Sequence, residues 1–180
     1  PPLRDTRGDR ALAQMQQSNA GEALTYEGTL GEGGMGLVRL ALQHSMGRRI
    51  AVKTLKQGLP NTELSLRLLR EAWITGSLEH PNVVPIYDVS VADDGRPVIL
   101  MKNIEGASWA TLMGDGASLR ERVGGRDALE SNLRVLLQVT NAVGLAHARS
   151  VLHRDIKPDN VMIGVHGEVY LVDGGIAGSV

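Results

Sequence analysis

Within HRDIKPDN, the run from His153 to Asn160, a carboxylate (Asp155), an ammonium (Lys157) and a carboxamide (Asn160) share one short loop. Asp155 can orient a hydroxyl group and take its proton late, Lys157 can touch a transferring phosphoryl group, and Asn160 can offer an oxygen to a metal ion. Downstream, Asp173 adds a second hard oxygen ligand of the kind Mg2+ prefers. Phosphoryl transfer makes these demands: positioning and charge neutralisation, with little covalent chemistry from the protein. A lone Asp-x-Lys sits on many ordinary turns, whereas eight such residues in a row after a long helix are far harder to reach by chance. His153 is expected to pack beneath the site, and Arg154 to pair with a phosphate on a regulatory segment.

A second cluster is made of glycines, in LGEGGMGLV from Leu30 to Val38. GxGxxG alone is weak, because glycine clusters also build plain turns. Its surroundings discriminate. The dinucleotide fingerprint opens a helix, but here Leu37-Val38-Arg39-Leu40-Ala41-Leu42 favours a strand. A strand–glycine loop–strand flap lets backbone N–H groups cover phosphates, with Gly31, Gly33 and Gly36 giving the close approach.

Lys53 and Glu71 form a third pair. Ala51, Lys53 and Leu55 share one face of a strand, and a lysine between apolar neighbours is costly unless it meets an anion. Glu71 lies in the helical stripe of Leu64, Leu68, Thr75 and Leu78 and has the converse problem. Taken singly, each reads best as an ordinary solvated charge. In order behind a glycine flap, they read as a lysine that grips phosphates and a glutamate that holds it.

The elements that must position these groups follow from periodicity. Strands are expected at Tyr26 to Leu30, Leu37 to Leu42, Ile50 to Leu55, Val83 to Val89 and Val98 to Met101, with a helix from Thr62 to Leu78. A polar, glycine-rich loop or insertion follows, from Met113 to Arg126. A long amphipathic helix then covers about Ala128 to Arg149, with Leu129, Leu133, Leu136, Leu137, Val143 and Ala146 at helical spacing. A short hairpin closes the chain around His166-Gly167. Strands before Lys102 and helix after it give an α+β chain, a small β-rich lobe followed by the start of a helical one.

Composition narrows the functions. The 180 residues carry a formal charge of −1 and no cysteine. That gives no pull towards nucleic acid and no disulfide or thiolate metal site. No apolar run approaches the roughly 20 residues a membrane-spanning helix needs.

On GEGGMGLV, IAVKTL, LLREAW, LEHPNVV and HRDIKPDN, the chain resembles a Hanks-type, eukaryotic-like bacterial serine/threonine protein kinase over roughly residues 25 to 180. The GGMG of the glycine loop is similar to the bacterial members, and Lys157 to the serine/threonine class. The resemblance implies a bilobal fold, with a five-stranded antiparallel N-lobe, one regulatory helix and a C-lobe cut short after the metal-binding Asp173. It implies a leader over 1–24, an N-lobe over 25–102, and a hinge with the first part of the C-lobe over 103–180. ATP would sit against Leu30, Val38, Ala51, Met101, Ile104 and Met162, with backbone bonds from Lys102 and Ile104. Mg2+ or Mn2+ would be held by Asn160 and Asp173, and a protein would be the second substrate. A cytoplasmic setting, or the cytosolic part of a membrane-tethered protein, goes with it.

The sequence departs from the family twice. Asp173-Gly174-Gly175 stands where the family has Asp-Phe-Gly, so an aromatic that packs under the Glu71 helix is missing. The chain also stops at Val180, so the Leu face of the long helix is expected to be exposed, awaiting a partner or the rest of a C-lobe. A nucleotide-binding pseudokinase or regulatory module is the alternative reading.

Overall fold

The computed structural model of the chain describes residues 24–33, 36–56, 62–92 and 94–172. They fall into two compact units, one of the described residues up to Leu69 with Tyr87–Asn103, the other of Arg70–Ile86 with those from Ile104 onward.

The first unit is built on a five-stranded antiparallel sheet. Its strands are β1 (Leu24–Glu32), β2 (Gly36–Gln43), β3 (Arg48–Leu55), β4 (Ile86–Val91) and β5 (Pro97–Lys102). They lie in the order β1-β2-β3-β5-β4. Register decides which residues share a face. Ala41 pairs with Ile50, and Val52 with Leu100; these four and Val98 form one buried apolar cluster. One residue out of step, Val38 pairs with Lys53, Leu40 with Ala51, and Ala51 with Met101. Since opposite residues point to the same side of a sheet, those residues line the other face. On the first face, Arg39 lies 3.9 Å from the centre of the Tyr26 ring, and Arg48 lies 3.8 Å from that of Tyr87. Both guanidinium groups thereby cover apolar surface while keeping their charge in water.

Helix α1 (Thr62–Ser77) has Glu63 in its first turn, where a carboxylate suits the helix dipole, and no basic residue in its last. The strand expected from Val83 to Val89 begins later, at Ile86. Pro85 has no N–H to give to a ladder, so pairing within the five-stranded sheet starts beyond it. Val83 instead makes a single parallel bridge to Leu171 in the second unit.

The second unit contains β6 (Gly106–Ser108), α2 (Trp109–Met113), α3 (Gly116–Val123), α4 (Ala128–Ala148), β7 (Val161–Gly164) and β8 (Val169–Leu171). Strands β6, β7 and β8 form a small sheet. The expected loop from Met113 to Arg126 is corrected: most of it is α3. Asp115 caps this helix by accepting the Ser118 N–H at 3.3 Å, and Gly124 ends it at φ 71°. Its glycines hid the period, and the caps supply what propensity lacks.

Helix α4 is the spine of this unit. Asp127 caps it by accepting the Glu130 N–H at 2.9 Å. Glu130 in turn accepts from Arg126 and Arg134, and these bonds, Arg126 first, pull its carboxyl down to about 2. Its buried stripe is Ser131, Val135, Val139, Ala142 and Ala146. Ser131 satisfies its hydroxyl on the carbonyls of Gly124 and Asp127, both at 2.9 Å. A side chain on Gly125, at φ 122°, would put Cβ 2.5 Å from that hydroxyl, so only glycine fits. The other stripe faces outward, with Leu129 70% and Leu137 63% exposed, as the sequence leads one to expect. The hairpin around His166-Gly167 is also as expected.

Candidate active site

The loop that carries Asp155 follows directly on the way α4 ends. The Ser150 N–H donates to the His147 carbonyl at 2.9 Å, and the Val151 N–H to the Ala146 carbonyl at 2.8 Å. This is the paired bonding of a Schellman cap, with Ser150 in the left-handed position at φ 57°. The chain reverses there and delivers residues 153–157 beside β7. Pro158 opens a short 3-10 turn, Pro158–Asn160, where its missing N–H costs nothing.

Within the loop, Asp155 Oδ2 accepts from Lys157 Nζ at 2.8 Å and from Asn160 Nδ2 at 2.9 Å. Asn160 Nδ2 also donates to the Asp155 carbonyl at 2.8 Å. The Lys157 bond, then the Asn160 bond, hold the Asp155 carboxyl below the ordinary aspartate range. The three residues singled out by spacing therefore form one hydrogen-bonded group. Asn160 is buried and Asp155 exposed, which gives an ionised carboxylate on a fixed support.

A metal fits this arrangement. The Asn160 amide nitrogen donates twice to Asp155, and its amide oxygen is a hard atom of the kind Mg2+ takes. Among the described residues no cluster of three or more His, Cys, Asp or Glu side chains is suited to hold a metal alone. Asp173, Gly174 and Gly175 lie outside the described residues. The last residue before them, Val172, donates its N–H to the Asn160 carbonyl at 2.9 Å.

In the sheet unit, the second face carries Val38, Ala51, Lys53 and Met101 together, with Leu30 on β1 and Lys102 at the end of β5. β1 and β2 flank the glycine loop, and the Gly33 N–H donates to the Gly36 carbonyl at 2.9 Å. A strand, not a helix, follows the glycines, which removes the dinucleotide-fingerprint reading. Gly34 and Met35 lie outside the described residues. Among those described, an added Cβ on Gly31 or Gly33 would meet nothing within 4 Å, and neither has a positive φ. Packing against the described residues does not require glycine at either position.

Lys53 and Glu71 are both half-buried. Lys53 belongs to the sheet unit and Glu71 to the helical unit. Ile104 and Met162 are half-buried in the second unit, Met162 on β7 opposite Ser108 and Tyr170.

His153 is buried, 9% exposed. With Thr75, Leu78, Ala142, Ala146 and Val172 it lines a mostly apolar cavity of about 30 Å³. Such a space holds about one water molecule or a methyl group. Arg154 is exposed, with its backbone at φ 63°. Two residues the sequence reading did not single out, Asn82 and Arg149, donate to the backbone carbonyls of Val169 and Ser77. Only the Pro81-Asn82 turn after a helix hinted at the first.

Comparison with known proteins names the family. Residues 24–180 match the family model described as protein kinase domain. The chain belongs to the protein kinase family. Among curated relatives, it is 39% identical over 153 residues to the serine/threonine-protein kinase PknD of Chlamydia trachomatis serovar L2b, covering 82% of this chain and 16% of that protein. It is 34% identical over 155 residues to PknD of Protochlamydia amoebophila, covering 83% and 16%. Among solved structures, the Mycobacterium tuberculosis PknI kinase domain is similar, with a TM-score of 0.67 and 28% identity, over 89% of this chain and 62% of that one. The chain thus spans about a sixth of the length of these curated relatives and under two thirds of the solved domain.

Proposed function

We propose that the chain transfers the γ-phosphoryl group of ATP to serine or threonine hydroxyls of a protein substrate. The observation that carries this reading is the Asp155–Lys157–Asn160 group, an ionised carboxylate whose Oδ2 is held by two donors. Asp155 Oδ1 then orients the acceptor hydroxyl. The hydroxyl oxygen bonds to the γ-phosphorus as the bond to the β–γ bridging oxygen breaks. ADP departs, and the proton passes late to Asp155.

Lys157 neutralises charge on the transferring group. Lys53 grips the phosphates and Glu71 holds Lys53, while Gly31, Gly33 and Gly36 let the backbone come close. Leu30, Val38, Ala51, Met101, Ile104 and Met162 give the base apolar surface, with backbone bonds from Lys102 and Ile104. Asn160 and Asp173 would hold Mg2+, or Mn2+, which supplies neutralisation of the phosphate oxygens when bound. The exposed Leu129, Leu133, Leu136 and Leu137 would lie under further kinase-domain chain or a partner.

One observation favours a second reading, a nucleotide-binding pseudokinase: Gly174 stands where the family has an aromatic. Against it, Lys53, Glu71, Asp155, Asn160 and Asp173 are all present.

Lys53→Met separates the roles of charge and fold. It keeps the aliphatic stem, so the melting temperature should be unchanged. Loss of one preorganised charge should lower phosphoryl transfer by about 100-fold. Equal transfer in mutant and parent would remove Lys53 from the site.

A further inference from the structure

The carbonyls at the end of α1 find an uncommon partner. With no basic residue in its last turn, the helix relies on other groups. The Thr75 carbonyl accepts the Leu78 N–H at 3.1 Å, and the Ile74 carbonyl accepts the Ser77 hydroxyl at 2.7 Å. The Ser77 carbonyl accepts from Arg149 Nη1, a residue from the far end of α4. A guanidinium there meets the negative end of the helix dipole.

A second tie lies just beyond. Asn82 Nδ2 donates to Gln138 Oε1 at 3.0 Å and to the Val169 carbonyl at 2.9 Å. The Asn82 carbonyl accepts the Leu171 N–H at 2.8 Å. Gln138 and Arg149 are about 16 Å apart along α4 at 1.5 Å per residue. Leu78, Val83, Ala142 and Ala146 share the core between these anchors. One tie at the last residue of α1 and a second five residues beyond it hold the chain at the C-terminal end of α1, the half that carries Glu71, against α4.

We propose that Arg149 is a positioning residue, clasping α1 to α4 so that Glu71 and the catalytic loop move as one body. The same residue faces both ways. Its side chain grips α1, and its backbone is the C-cap of α4, next to the Ser150 reversal that launches the loop carrying Asp155. This rests on the kinase reading for its effect on turnover and on geometry alone for the clasp. Arg149 is exposed and touches no reacting group, so its replacement leaves the core intact.

The experiment compares the parent chain with Arg149→Ala and Arg149→Lys. Lysine keeps the charge and one donor within reach of the Ser77 carbonyl. Turnover in Arg149→Ala should fall about fivefold, the worth of one charged hydrogen bond at a helix end, with Mg·ATP affinity changed less than about twofold. Arg149→Lys should recover most of the loss. Amide hydrogen exchange in the last turn of α1, read at Leu78, should quicken in the alanine variant and return in the lysine one. Parent-like turnover and exchange in Arg149→Ala would overturn the clasp. So would equal losses in both variants alongside equal falls in melting temperature, because that pattern marks a merely structural role. If the parent itself transfers nothing, the kinase reading fails and exchange at Leu78 alone decides the clasp: quickened in alanine and restored in lysine supports it, unchanged overturns it.

Discussion

A carboxylate that already accepts two hydrogen bonds is a weak proton acceptor, and Asp155 is such a group. Its pKa is held down first by Lys157, then by Asn160. It is therefore charged at neutral pH and suited to aiming a hydroxyl more than to stripping it. A depressed carboxylate favours the folded state above the unfolded-state pKa and loses that contribution as pH falls through the folded value. Since Asp155 and Lys157 are about half exposed, the contribution is small, and direct titration is the better test. The Asp155 carboxyl signal followed by NMR should titrate below the ordinary value of about 3.9 and move up towards it in Lys157→Met. A parent midpoint at or above the ordinary value would contradict this geometry. Gly33 makes a converse prediction, since an added Cβ there meets none of the described residues within 4 Å and its φ is not positive. Gly33→Ala should leave the melting temperature unchanged yet weaken Mg·ATP binding about tenfold, or about 1.4 kcal/mol, in a nucleotide titration. A stability loss without an affinity loss would make the loop an ordinary turn.

At the scale of elements, the end of α4 offers a direct stability test. Ser150 occupies the left-handed position of a Schellman cap, where a side chain costs about 1 kcal/mol that glycine avoids. Ser150→Gly should raise the melting temperature by about 2–4 °C with turnover unchanged. A lower melting temperature would mean the serine side chain holds the turn. Legibility followed the same physics. α4 was readable from its period of 3.6, and β2, β3 and β5 from short apolar runs bounded by glycine, proline or turn residues. α3 was not, since it is short and opens on Gly116, so Asp115 and Gly124 define it more than any pattern does. The start of β4 was misread because Pro85 interrupts an apolar run without interrupting its hydrophobicity. In the loop, Asp155, Lys157 and Asn160 were legible as types and spacing, but their mutual hydrogen bonds were not. Arg149 was invisible because its partner is a backbone carbonyl far away in sequence.

On the scale of the molecule, the described residues form two compact units. The sheet unit presents Val38, Ala51, Lys53 and Met101 on one face, and the helical unit carries the loop of Asp155 just past the end of α4. The outward Leu stripe of α4 marks where the helical unit has apolar surface to share, and the solved kinase domain it resembles is longer than the matched part. Sequence placed the five-strand run before Lys102 and the long helix after it, and the sheet and α4 lie there. It could not show that α1 is divided between the units, since that depends on which core each turn enters.

The central claim is phosphoryl transfer through Asp155, and transfer of labelled γ-phosphate from Mg·ATP tests it most directly. Acceptors would be the chain itself and a generic basic protein, beside Asp155→Asn, which keeps shape and removes the charge. The parent should label serine and threonine, and the mutant should lose at least about 100-fold of that rate at an unchanged melting temperature. Equal labelling in both would contradict the role of Asp155. Tight nucleotide binding with no labelling by the parent would make the chain a binding module instead.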